Sequence, residues 1–176
     1  MIEYLKENLL KGYRTSPLRK IKISLALTLL FALAALTAGY SGSLYRLQVL
    51  DGLDGQTACI AFFSLFLFPA LPEESFFRGI LIPNNIKQRG RKTVLFFTLL
   101  SAILFTLWHP LNALTVNPGA QVLFCNPYFL IIVFCLGIVC SLTYIFSRSL
   151  WVPITIHWLT VVIWVLFLNG RNLLLQ

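Results

Sequence analysis

Apolar and polar residues in this chain are sorted into blocks rather than single alternating positions. Ile23 to Tyr40 is an uncharged apolar run, close to the ~20 residues that cross a hydrocarbon core as a helix. Ser41 to Gln56 is a polar loop carrying Arg46, Asp51 and Asp54. Thr57 to Ala70 is apolar again and reads as helix, broken by Pro69 and Pro72. Pro72 suits the first position of a new helix that runs to about Ile82 and stops at Pro83-Asn84-Asn85. Beyond a basic connection, Thr93 to His109 predicts the next span, ended by Pro110, and Leu111 to Asn126 reads as an uncharged loop. Tyr128 to Phe146 and Leu150 to Leu168 complete the pattern, with Ser147-Arg148-Ser149 as the turn between them. The expected fold is an all-α, polytopic transmembrane helical bundle of about five spans, one of them a broken helix.

Composition agrees. The chain is 58% hydrophobic and 11% charged, with a mean hydropathy of +0.82, whereas a globular protein has about 25% charged residues. Residues 1–22 are expected to form a cytoplasmic basic segment and residues 23–176 one integral membrane domain. The first apolar run exceeds the 7–15 residues of a signal-peptide core and has a long polar lead, so it reads as a retained helix. The net charge of +8 is explained by placement. Lys6, Lys11, Arg14, Arg19, Lys20, Lys22, Lys87, Arg89, Arg91, Lys92 and Arg148 fall on one side of the expected layout, against Arg46 and Arg171 on the other. This asymmetry puts the N-terminus in the cytoplasm and the C-terminus opposite, and it calls for no nucleic-acid partner. The four cysteines, Cys59, Cys125, Cys135 and Cys140, match neither a zinc motif nor a Cys-x-x-Cys pair and read as small membrane hydrophobes. Trp151, Trp158 and Trp164 read mainly as interfacial anchors.

Pro72-Glu73-Glu74-Ser75-Phe76-Phe77-Arg78 stands out against this background. Between Thr57 and Ile82 the ionisable residues besides Cys59 are Glu73, Glu74 and Arg78. Each charge at the centre of a membrane helix costs about 2.5–3.5 kcal/mol on insertion scales, so three together need a reason. Glu74 and Arg78, four apart, share a helical face and can neutralise each other. Glu73 lies about 100° round the helix and has no partner in the segment, which suits a group that takes and returns a proton. Both histidines of the chain, His109 and His157, also lie in apolar spans. Two chemistries fit a Glu and two His on three spans. Glu73 can be a general base that activates water, with histidines and other donors stabilising charge. Alternatively, Glu73, His109 and His157 can hold zinc, although there is no H-E-x-x-H and zinc leaves the Glu74–Arg78 pair without a part.

Glu73-Glu74-x-x-x-Arg78, then Phe105-x-x-x-His109, then an intramembrane His157 resembles the CPBP (Abi) family, which includes the type II CAAX prenyl endopeptidases and other glutamate-type intramembrane proteases. Arg78-Gly79-Ile80-Leu81 and Ser149-Leu150-Trp151-x-Pro153 are similar to it as well, so the resemblance covers roughly 57–168. It implies that Glu73 and His109 activate the attacking water, that Glu74 and Arg78 support the site, and that His157 helps to stabilise the oxyanion. It also implies no cofactor and no metal. One position departs: four residues after the last histidine the family usually has Asn or another polar residue, and here stands Val161. Thr160 and Asn112 are the candidate replacement donors.

The resulting expectation is an endopeptidase that cleaves a membrane-associated peptide or protein within a prokaryotic cytoplasmic, or organellar, membrane. A zinc-dependent hydrolase and a non-catalytic scaffold or immunity protein are the alternatives. The depths of the two histidines pull against this layout. At 1.5 Å per residue His109 lies about 24 Å from the basic connection and His157 only about 10 Å from the Arg148 turn, which calls for tilted helices or a re-entrant basic segment. Cysteine labelling of intact cells tests the layout: residues 1–20, 86–92 and 148 are expected to label from the cytoplasm, and 42–55 and 112–125 from the opposite side. Labelling of 86–92 only from outside would overturn it.

Overall fold

The computed structural model describes residues 2–170. Its helices are α1 (Ile2–Arg14), α2 (Ile21–Ser41), α3 (Gly55–Leu65), α4 (Leu71–Glu74), α5 (Arg91–Thr115), α6 (Gln121–Phe124), α7 (Pro127–Ser147) and α8 (Trp151–Phe167). Among the described residues the only β-type pairing is an isolated bridge between Gln48 and Leu168, so the fold is all-α. Among the described residues four helical stretches are long and apolar enough to cross a membrane: Ile21–Ser41, the broken Gly55–Ile80, Arg91–Thr115 and Pro127–Ser147. The fifth expected span, Trp151–Phe167, is apolar but only 17 residues long. Arg171, counted in the charge asymmetry, lies outside the described residues.

α7 is the central helix: 56% of its apolar window is buried, against 11–22% in the other three stretches. It packs on α2, α5 and α8. The contact with α5 is close because Gly137 has no side chain; a Cβ there would lie 3.0 Å from the Ala102 Cα. The outer helices turn their apolar residues outwards. Leu25, Leu29, Leu30 and Leu33 on α2 are all more than half exposed, as expected where lipid is the solvent. Two N-termini are capped by side chains, α3 by Asp54 accepting from the Thr57 N–H (2.7 Å) and α7 by Asn126 accepting from Tyr128 and Phe129.

The structure corrects three elements. Of the two prolines expected to break the helix, Pro69 does so: Phe68 before it is extended at φ/ψ −153°/123°, because proline disfavours the helical conformation in the preceding residue. The helix resumes directly after Phe68, so Pro72 lies inside it rather than opening it. The Leu71 N–H bridges the break to the Phe66 carbonyl. Second, α5 does not end at Pro110 but runs through it to Thr115. Proline removes one backbone hydrogen bond, whereas ending the helix there would free several polar groups in an apolar setting. Third, 111–126 is not a plain loop. After the end of α5 it holds a 3₁₀ turn, Pro118–Ala120, and the short α6.

The basic N-terminal segment is not a free tail. α1 docks on the segment that follows α4. The buried Asn8 amide donates to the carbonyls of Gly79 (2.6 Å) and Ile82 (3.1 Å), which lie where the helix runs out. In return the Asn84 N–H donates to Asn8 Oδ1 (2.8 Å) and the Asn84 amide to the Asn8 carbonyl (3.1 Å). Tyr13 and Ser75 join their hydroxyls, and the Trp151 indole donates to the Tyr13 carbonyl (3.0 Å). Asn84 therefore fastens α1 to the core as well as ending a helix. Asn8→Ala would leave these buried groups unpaired at about 1–3 kcal/mol. The expected outcome is a lower thermal-unfolding midpoint in detergent and earlier proteolysis between residues 2 and 20; an unchanged midpoint would show that α1 is not held this way.

Candidate active site

The acidic motif sits on a locally widened helix. The Leu81 N–H bonds to the Phe76 carbonyl, five residues back, a π-type turn often found at functional sites. This leaves the Phe77 carbonyl without its usual donor four residues on, and the Ser101 hydroxyl of α5 supplies one (2.8 Å). Glu74 and Arg78 remain on one face as the spacing predicts, and both are fully buried. Arg78 Nη1 donates to Glu74 Oε1 (2.9 Å), and Nη2 donates to the Gly137 carbonyl of α7 (3.0 Å). The guanidinium also lies 4.5 Å from the centre of the Phe105 ring, a cation–π contact that offsets part of its desolvation. Buried charges persist only when paired and hydrogen-bonded in this way.

Glu74 Oε1 also meets His157 Nδ1 at 2.9 Å. A carboxylate paired with Arg78 can only accept, so the Nδ1–H of His157 is the donor. Its other nitrogen, Nε2, then faces Glu73 and lies 4.0 Å from Oε2. Glu73 is held from the opposite side by the Trp108 indole N–H, which donates to Oε1 (3.0 Å). Among the described residues Oε2 has no hydrogen-bond partner although it is buried. Glu74 Oε2 is likewise buried without a partner, so the two glutamates differ by placement: Glu74 bonds to His157 and Arg78, while Glu73 lines the cavity.

Glu73 opens into a cavity of about 310 Å³ between the broken helix, α5, α7 and α8. His109, His157, Thr160, Asn112 and Val161 line it too. The two histidines reach one cavity despite their unequal distances from the basic turns. Part of the reason is that the connection folds inwards: Ile82 and Ile86 are buried in one cluster with Leu150 and Ile154, against the start of α8. The Phe105 ring stands between the imidazoles, 5.2 Å from His109 and 5.5 Å from His157. His109 Nδ1 donates to the Phe105 carbonyl (3.0 Å), because a carbonyl can only accept, leaving Nε2 as its free nitrogen. Thr160 lies on the cavity wall, but its hydroxyl hydrogen goes to the Ile156 carbonyl (2.7 Å). Asn112 reaches the wall because α5 continues past Pro110.

Trp108 and Asn117 belong to this site and were not singled out by sequence reasoning, and Phe105 entered only through the motif around His109. Phe105 is one turn before that histidine, so the helical period held a signal for it. For Trp108 it held none, since the indole must reach across to another helix. Among the described residues no three His, Cys, Asp or Glu side chains converge as a metal site.

A family model described as type II CAAX prenyl endopeptidase Rce1-like matches residues 55–163. No curated protein and no solved structure matches the chain. The geometry separates the two glutamates experimentally. Glu74→Ala leaves Arg78 buried without its counter-ion, at a cost of about 3–5 kcal/mol, and is expected to cut yield and thermal stability sharply. Glu73→Gln keeps an acceptor for Trp108 and is expected to unfold within a few degrees of wild type. The reverse order of stabilities would show that the roles are exchanged.

Proposed function

The chain belongs to the type II CAAX prenyl endopeptidase Rce1-like family, and from that premise we propose that Glu73 is the general base of an intramembrane peptide hydrolysis. The observation that carries the reading is the free, buried Glu73 Oε2 facing His157 Nε2 inside an apolar cavity. A water bound at Oε2 loses a proton to Glu73 as its oxygen attacks the scissile carbonyl carbon. His109, on the same wall, orients that water through Nε2. The carbonyl π-electrons move to oxygen, and the oxyanion takes hydrogen bonds from His157 Nε2–H and, where the substrate reaches it, from the Asn112 amide. The intermediate then collapses, the C–N bond breaks, and Glu73 returns its proton to the leaving amine. With both ring protons on His157, the charges of Glu73, Glu74, Arg78 and His157 sum to zero, which lowers the cost of assembling them in low dielectric. Glu74 and Arg78 act as positioning residues through His157.

The membrane placement belongs to the same reading. α8 serves as the fifth span, with its 17 residues at the lower end of what crosses a bilayer. The N-terminus lies in the cytoplasm and the protein resides in a prokaryotic cytoplasmic, or organellar, membrane. The cavity lining includes Leu44, Tyr45, Asn117 and Phe124, from segments that join helices at the end away from the basic connections. The substrate, a membrane-associated peptide or protein, therefore enters from the half of the bilayer opposite the basic residues.

The test uses purified protein in nanodiscs and a fluorogenic peptide carrying a lipid anchor. Glu73→Gln is expected to lower turnover at least 10²-fold, in the range lost with a general base. Trp108→Phe frees Glu73 Oε1 and is expected to lower turnover with little change in thermal stability. Val161 lines the cavity, so Val161→Asn puts an amide where the family usually has a polar residue and is expected to raise turnover, an oxyanion donor contributing about 10²–10³. Full activity in Glu73→Gln would overturn the assignment. Full activity in Val161→Asn without any gain would move the oxyanion donors to Asn112.

A further inference from the structure

A second cavity, of about 270 Å³, lies at the basic end of the molecule, away from the catalytic cavity. Its wall joins three segments distant in sequence: the end of α1 with the residues after it (Lys11, Arg19), the connection before α5 (Lys87, Gln88) and the turn between α7 and α8 (Arg148). Four cations therefore converge on one space, and among the described residues no carboxylate lies within ion-pair distance of any of them. Such an assembly opposes itself unless an anion joins it. Lys87 sits below its ordinary pKa because it is partly desolvated and because Arg148, Arg19 and Lys20 repel its charge. Arg148 is lowered in the same way, by burial and then by Arg19.

The pocket is built rather than incidental. Arg148 takes a left-handed backbone at φ 65°, and its Nη1 donates to the carbonyls of Pro83 and Asn84, which fixes the guanidinium at the pocket wall. Lys87 Nζ rests 4.6 Å from the centre of the Phe146 ring, a contact that fixes its direction. Asn84, locked to Asn8, brings Lys11 to the opposite wall. Arg19 lies two residues before α2, a helix apolar enough to cross a membrane, and basic residues flanking such a helix mark the membrane interface. Basic pockets between helices at that depth are suited to phosphate headgroups, and the volume leaves room for a phosphate with several waters at about 30 Å³ each.

We propose that this pocket is a phosphate-binding site, in which Lys11, Arg19, Lys87 and Arg148 receive a phosphate group borne by an anionic lipid or free in solution. The charged ligand ties α1 to the α7–α8 turn and so stabilises the end of the molecule opposite the substrate cavity. No catalytic residue takes part, so the proposal stands or falls independently of the hydrolysis.

The test compares thermal-unfolding midpoints in nanodiscs of phosphatidylcholine alone, of phosphatidylcholine with phosphatidylglycerol, and of phosphatidylcholine with inorganic phosphate titrated at constant ionic strength. Wild type is expected to gain stability from at least one anion. A gain with phosphatidylglycerol alone assigns the group to lipid; a saturable gain with inorganic phosphate assigns it to solution. Lys11→Gln/Lys87→Gln is expected to shift the half-effect concentration roughly 20-fold or more, at about five-fold per cation. Lys92→Gln, at the same end but outside the lining, is expected to leave it unchanged. If the double variant is unstable in neutral discs, Arg19→Gln, on the exposed segment between α1 and α2, gives the single-cation value of about five-fold. No gain in wild type from either anion, or an equal loss in Lys92→Gln, would overturn the site and leave only diffuse surface charge.

Discussion

Everything in this membrane protein is arranged around one buried ion pair. Glu74 and Arg78 have no access to solvent, and a buried pair alone barely repays its desolvation. The fold answers by giving both partners further bonds. Arg78 reaches the Gly137 carbonyl and the Phe105 ring; Glu74 takes the Nδ1–H of His157. Three helices and the broken helix are thereby locked to a single polar node. The same node fixes the imidazole of His157, which cannot turn without giving up Glu74.

Around it the apolar framework is shaped by small departures from regular helix. An extended Phe68 lets the chain restart beside the cavity, and the wide turn after Glu74 releases a carbonyl that Ser101 takes from another helix. The lack of a side chain at Gly137 lets α5 approach α7, which sets Phe105 between the two histidines. Pro110, kept inside α5, extends the helix far enough to bring Asn112 to the cavity. The wide turn is compensated by the Ser101 hydroxyl and the missing side chain at Gly137 by the close approach of Ala102.

The two ends of the molecule have opposite character. One end closes the apolar cavity with Leu44, Tyr45, Asn117 and Phe124. The other gathers cations around α1, Asn84 and Arg148. Asn8 and Asn84 join the basic end to the helix that carries the glutamates, since the carbonyls held by Asn8 belong to Gly79 and Ile82. A change at the basic surface is thus connected to the acidic motif through one short helix.

The sequence by itself determined the helical class, the positions of the long spans apart from the far end of α5, and the pairing of Glu74 with Arg78. These follow from hydropathy and from the four-residue spacing of Glu74 and Arg78, which are local properties. It also singled out His109 and His157, because a histidine in an apolar run has few other reasons to be there. What only the tertiary structure decided are contacts between helices remote in the chain. That Trp108 rather than a closer residue holds Glu73, that His157 is oriented by Glu74, and that Thr160 spends its hydroxyl on Ile156 all depend on how helices pack. The passage through Pro110 belongs here too, whereas the break at Phe68 was legible from Pro69. At Pro110 proline forbids one hydrogen bond, and whether the helix stops or continues is settled by what surrounds it. Packing, not local preference, makes that choice, because in an apolar medium every backbone group left free must find its partner on another helix.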